Sequence, residues 1–113
     1  MIDTIAKLSQ AEVLARFGHA LSDPTRARLL LALCQAPAYP ADLAVMVGGS
    51  RQSVSNHLAC LRGCGLVVAV PEGRRVRYEL ADQRLLHALS DLVGVVLVGE
   101  NDACAADTAG SCQ

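Results

Sequence analysis

Apolar residues recur along this chain at two periods, and the changes from one to the other mark its elements. From residue 1 to 21, the apolar residues Ile5, Leu8, Val13, Leu14, Phe17 and Leu21 include three- and four-residue spacings, 5/8, 13/17, 14/17 and 17/21, and Ser9 with Glu12 has the form of a capping box. This predicts an amphipathic helix, in one piece or two, whose apolar side serves either the core or a subunit interface. Ser22-Asp23-Pro24-Thr25-Arg26 then supplies a cap and a proline at the first helical position. A second helix follows to about Cys34, mostly buried through Leu29, Leu30, Leu31 and Leu33. Ala36-Pro37-Ala38-Tyr39-Pro40 breaks it, and Asp42 to Val47 reads as a short third helix. Gly48-Gly49 makes a tight turn, and Ser50 caps a fourth helix in which Val54, Leu58 and Leu61 form one apolar stripe. Two short helices joined by a glycine turn make a helix-turn-helix.

The period then changes. Leu66 to Val70 is a continuous apolar run, Pro71-Glu72-Gly73 is a turn, and Val76, Tyr78 and Leu80 alternate with Arg75, Arg77 and Glu79, as in a half-exposed strand. This is a β-hairpin with arginines at its tip and on its outer face. Asp82 caps a last helix from Gln83 to about Val98, whose apolar stripe is wider than a small domain needs for itself and is read as a dimer helix. Residues 1–98 are thus expected to form one winged helix-turn-helix domain, mainly α with a β-hairpin and homodimeric. Gly99 to Gln113 is small and polar and is expected to be a flexible tail carrying Cys104 and Cys112.

A hydrophobic content of 52% with only 3% aromatic residues makes the core one of Leu, Val and Ala, and leaves apolar surface for a partner. The net charge of −1 argues mildly against a nucleic-acid partner, but its distribution argues for one. From Ser50 to Tyr78, Arg51, Arg62, Arg74, Arg75 and Arg77 face the single acid Glu72, whereas acids dominate from Glu79 onward. The longest apolar run, Leu92 to Val98, is too short to span a bilayer, and the N-terminal stretch lacks the apolar core of a signal peptide. A cytoplasmic location without membrane association is expected, and with it five reduced cysteines.

On the fourth helix, Gln52, Ser55, Asn56 and Ala59 point away from the buried stripe, with Arg51 and Arg62 on its flank. Gln and Asn can pair with adenine edges, Arg with guanine or phosphate, and Ser with phosphate. The candidate contacts to double-stranded DNA are therefore Ser50, Arg51, Gln52, Ser53, Ser55, Asn56 and His57 from the helix, and Arg74, Arg75 and Arg77 from the wing. Ser53, His57, Cys60 and Cys64 share a third stripe of the same helix. Cys60 and Cys64 are four apart, so their Cβ atoms lie about 5–6 Å from each other and both sulfurs can reach one ion. Spacing alone leaves a second reading open, in which these thiols are packing residues of an Ala/Leu-rich helix. Cys34 reads as a core residue, and His19 and His87 as helix-surface or packing residues. Gly63 and Gly65 flank Cys64 and would leave that helix end soft.

The stretches FGHALSDPTRARLLLAL, Phe17 to Leu33, and SVSNHLACLRGCGLV, Ser53 to Val67, together with the order of elements, resemble the ArsR/SmtB family of metal-sensing repressors over nearly the whole chain. The LACLRGCGLV segment with a later tail cysteine resembles the CmtR branch of cadmium and lead sensors. The resemblance implies a dimer that holds operator DNA when metal-free and releases it when Cd2+ or Pb2+ binds Cys60, Cys64 and Cys104, the last from the other subunit's C-terminal region. Distance from the last helix and alignment favour Cys104 over Cys112. Ligand sets of other branches are missing: Ala41-Asp42-Leu43-Ala44-Val45 stands where a Cys-x-Cys pair would lie, and Asp82, His87 and Asp91 have the wrong spacing for a zinc site. Three thiolates suit a soft ion, whereas Zn2+ prefers four ligands, for which His57 and Cys112 are the candidates.

The alternative within the same fold is an arsenite or thiol-redox sensor, since reduced cysteines also capture trivalent arsenic or oxidise. A disulfide between Cys60 and Cys64 would distort a continuous helical turn. A metal carrier would have no use for the arginine-rich helix and wing. An enzyme is not expected: there is no Cys-x-x-Cys pair and no nucleophile with a nearby base.

Overall fold

The computed structural model describes residues 9–98, which fall into two units, 9–82 and 83–98. The expected first turns around Ile5 and Leu8, and the expected tail with Cys104 and Cys112, lie outside the described residues. The elements are α1 (Gln10–Leu21), α2 (Pro24–Gln35), α3 (Pro40–Val47), α4 (Arg51–Gly63), β1 (Val67–Glu72), β2 (Arg75–Leu80) and α5 (Arg84–Val98).

Each of α1, α2 and α4 starts where its sequence supplies a partner for the free amides of the first turn. Ser9 Oγ accepts from the Glu12 amide at 3.0 Å while the Glu12 carboxylate accepts from the Ser9 amide at 2.9 Å, which completes the capping box of α1. Asp23 Oδ2 accepts from the Arg26 amide at 3.0 Å, with Pro24 in the first turn of α2. Arg26 then reaches back, donating to the carbonyls of Ala20 and His19 at 3.0 Å each, so one side chain joins the end of α1 to the start of α2. Pro40 belongs to α3 rather than to the break before it, because a proline without an amide hydrogen suits a first turn. The helix therefore begins two residues before the expected Asp42.

The largest fully buried side chains are Leu29, Leu30, Leu43, Val54, Leu58 and Leu61, from α2, α3 and α4, and Leu66, Val67 and Leu80 extend the buried set to the wing. One expectation of burial changes. Leu31 is 44% exposed, because a helix packed on two sides still keeps an outward face. The sequence leaves two uses open for the apolar side of α1: Ala20 is fully buried in the core, whereas Val13 and Leu14 are exposed.

The helix-turn-helix turn follows from Gly48, whose φ of 71° lets the chain reverse while the Gly49 amide donates to the Ala44 carbonyl. At the far end of α4, Gly65 has φ 80°, the Leu66 amide donates to the Leu61 carbonyl at 3.0 Å, and the Gly65 amide to the Arg62 carbonyl at 2.9 Å. That is a Schellman cap, sealed by the buried Leu61 and Leu66. The end expected to be soft is thus a defined stop, with Cys64 as the capping residue.

β1 and β2 pair antiparallel, Val67 opposite Leu80 and Glu72 opposite Arg75. Pro71 and Glu72 belong to β1, so Gly73-Arg74 alone turns the hairpin, tighter than the expected Pro-Glu-Gly turn. Ala38 exchanges both backbone hydrogen bonds with Tyr78, at 3.0 and 2.8 Å, and the segment between α2 and α3 thereby lies along the edge of β2. In the second unit, α5 carries Leu92, Val93 and Val95 as exposed apolar residues. No described helix is long and apolar enough to cross a membrane.

Candidate nucleic-acid interface and thiol site

α4 offers its polar side as the sequence pattern predicts. Val54, Leu58 and Leu61 are buried, and Ser50, Arg51, Gln52, Ser55 and Asn56 are exposed. Ser50 Oγ accepts from the Ser53 amide at 3.0 Å, which leaves its hydroxyl free to donate, and Ser53 itself is half-buried. Gln52 Nε2 donates to Asn56 Oδ1 at 3.1 Å, so the two amides one turn apart form a paired edge with donors and acceptors to spare. His57 turns the other way. Its Nε2 lies 3.7 Å from Asp23 Oδ2, which joins the middle of α4 to the cap of α2. The Arg26 amide, and then the His57 imidazole, hold the Asp23 carboxyl below its usual range against the opposing effect of burial.

The three wing arginines differ. Arg74, in the turn, is exposed. Arg77 is half-buried and paired with Glu72, with Glu79 at 3.7 Å, so its charge is answered within the wing. Arg75 is exposed, and its guanidinium lies 3.5 Å from the centroid of the Tyr39 ring. The Tyr39 hydroxyl donates to Glu72, and that bond raises the phenol above its ordinary pKa. Glu72 thus receives both Tyr39 and Arg77.

Cys60 and Cys64 sit half-buried on the last turns of α4. Burial pushes the Cys64 thiol up, the neighbouring Cys60 adds to this, and Arg16 and Arg26 oppose it. Cys34 is also half-buried, and burial raises its thiol. Among the described residues no group of three or more His, Cys, Asp or Glu side chains is gathered as a metal site. The pair on α4 offers two soft donor atoms one helical turn apart. Cys104, expected as the third ligand, lies outside the described residues.

Tyr39 enters the sequence pattern only as part of a helix break, and its place beside the wing is new with the structure. The available signal was a tyrosine between two prolines in a chain with just two Tyr, one Phe and no Trp. His57 likewise had no partner in the sequence, because Asp23 is 34 positions away and only the packing of α4 on α2 brings the two together.

Residues 23–68 match the arsR family of bacterial regulatory proteins. The chain is 58% identical over 99 residues to the HTH-type transcriptional regulator CmtR of Mycobacterium tuberculosis, covering 87% of this chain and 84% of that one. Among solved structures it is similar to the cadmium metal-sensor CMTR from Mycobacterium tuberculosis, with TM-score 0.65 and 58% identity over 80% of this chain and 94% of that one. It is also similar to a homodimeric winged helix-turn-helix DNA-binding domain, Mb0332 from Mycobacterium bovis, with TM-score 0.70 and 31% identity over 77% of this chain and 80% of that one. With a helix-turn-helix capped at Ser50 and a two-stranded wing, this chain belongs to the ArsR family of winged helix-turn-helix bacterial regulatory proteins, which are regulators of transcription rather than enzymes.

Proposed function

We propose that this chain is a metal-responsive repressor that holds operator DNA as a metal-free homodimer and lets it go when cadmium or lead is bound by Cys60, Cys64 and Cys104. The observation that carries this reading is one of placement. The thiol pair and the groove-facing Arg51, Gln52 and Asn56 are on the same helix, and Cys64 is the residue that caps it. A bond that draws Cys60 and Cys64 toward a third thiolate acts on the cap and tilts the reading face with it.

The donor set fits a soft ion, since two thiols one helical turn apart with a third sulfur favour cadmium or lead over zinc. The likeness to a cadmium sensor supports the same choice. Residues 1–98 would form the DNA-binding and dimerisation domain, and residues 99–113 the tail that brings Cys104. The exposed Val13 and Leu14 on α1, the exposed Leu92, Val93 and Val95 on α5, and the homodimeric relative support a dimer through these helices. The exposed polar face of α4 with Arg74 and Arg75 of the wing supports double-stranded DNA as the partner.

The test is fluorescence anisotropy of a labelled duplex from the region upstream of the chain's own gene, titrated with reduced metal-free protein and then with cadmium. Salt-sensitive binding that collapses near one cadmium per subunit is expected. Binding indifferent to cadmium and lead but lost with arsenite or a mild oxidant would replace this reading with the thiol-chemistry one.

A further inference from the structure

Arg51, Ser55 and Arg75 line one open cavity of about 360 Å³, together with Tyr39, Pro40, Ala41 and Val76. Two of these side chains are exposed cations, one from the first turn of α4 and one from the wing, and none of the lining residues is acidic. The acid of the wing turn, Glu72, is occupied by Arg77 and by the Tyr39 hydroxyl. Arg75 is held instead by the face of the Tyr39 ring, at 3.5 Å, an attachment that fixes the guanidinium plane and leaves its edge free to donate.

Resting on the DNA-binding reading above, we propose that this cavity seats one phosphate of the DNA backbone between Arg51 and Arg75, and that Tyr39 is the positioning residue that aims Arg75 at it. The chain before α3 is itself fastened to the wing by the two Ala38–Tyr78 hydrogen bonds, so Tyr39 has a fixed base. Helix and wing thereby grip the same phosphate from two sides. Arg77, answered by Glu72 and Glu79, takes no part in this grip.

A phosphate contact carries no sequence information and adds a fixed amount to the salt dependence of binding. Full-length reduced protein is therefore titrated onto the upstream duplex and onto an unrelated duplex of equal length, over a range of salt. Tyr39→Leu is expected to weaken both by about three- to tenfold, as loss of a supporting cation–π contact implies. It should also lower the slope of log K against log salt by about 0.9 for each subunit engaged.

Tyr39→Phe, which keeps the ring, should restore most of the lost slope. Once Tyr39→Leu is in place, adding Arg75→Ala should cost little more, because both changes remove the same contact. Additive losses for Tyr39→Leu and Arg75→Ala would overturn the proposal, as would a loss confined to the operator duplex. If Tyr39→Leu does not fold, Arg75→Ala alone must lose the slope. Inorganic phosphate should displace the duplex no better than chloride at matched ionic strength; a selective advantage abolished by Arg75→Ala would assign the cavity to free phosphate and overturn its assignment to DNA. Failure of the native protein to bind either duplex would instead remove the DNA reading itself.

Discussion

Cys64→Ser is expected to bind its operator about as tightly as the native chain and to stay bound when cadmium is added. The substitution leaves the helix intact, because Cys64 acts there through its backbone: its amide donates to the Cys60 carbonyl at 3.0 Å and the cap is closed by Gly65 and Leu66. A serine nearly keeps the volume, and it keeps that backbone bond, but it removes a soft donor. Losing an outer partner of a metal ligand already costs about 10- to 100-fold in affinity, so loss of a ligand itself should exceed about 100-fold. Metal must also displace the proton of the Cys64 thiol, whose pKa burial and the neighbouring Cys60 push up, with Arg16 and Arg26 countering in part. Cadmium affinity of the native chain should therefore fall as pH falls. Anisotropy with the operator duplex, before and after cadmium, reads both properties at once. Normal release from the Cys64→Ser variant would take Cys64 out of the site.

Leu58→Ala should have the largest effect on stability. Leu58 is 1% exposed and lies on the buried stripe of α4, between Val54 and Leu61, where α2 and α3 pack against it. Removing the buried carbons of such a side chain costs about 2–5 kcal/mol through lost transfer energy and the cavity left behind. Small domains have about 5–15 kcal/mol in total, so a large share goes. The melting temperature should drop by roughly 4–8 °C for each kcal/mol, measured at one fixed protein concentration because a dimer's stability depends on it. The control is Val45→Ala on the neighbouring helix, where the side chain is 82% exposed and a change within about 0.5 kcal/mol is expected. Equal losses at the two positions would mean that the core lies elsewhere.

Local signals made most of the fold readable. Capping residues such as Ser9, Asp23 and Ser50 act within three positions, and the stripe Val54, Leu58, Leu61 repeats within one helix, so sequence alone placed the starts of α2 and α4 closely and named the capping box of α1. The hairpin was readable from alternation, although its turn proved tighter because Pro71 and Glu72 continue the strand. What escaped was set by packing between distant segments. The edge pairing of Ala38 with Tyr78 spans 40 positions, and it is this that delivers Tyr39 to Arg75 and Glu72.

The candidate site divides in the same way. The exposed face Arg51, Gln52, Ser55 and Asn56 follows from helical period. The different fates of Arg75 and Arg77 do not, since both sit on the same side of β2 by alternation and only their neighbours separate them. The thiol pair was readable as a pair from its spacing and as lying at the end of α4, and the closed form of that end emerged only with the left-handed Gly65.

Metal and DNA are proposed to compete through α4, and linkage gives that competition a reciprocal form: whatever factor cadmium takes from DNA affinity, DNA must take from cadmium affinity. The measurement is cadmium affinity by sulfur-to-metal charge-transfer absorption, with the free protein and with the protein saturated by operator duplex. The duplex should weaken cadmium binding by about 5- to 150-fold, the usual range of such coupling, and the same factor should appear in the anisotropy titration. Equal cadmium affinities in the two states would contradict the competition, because a metal that binds both states alike cannot release the DNA.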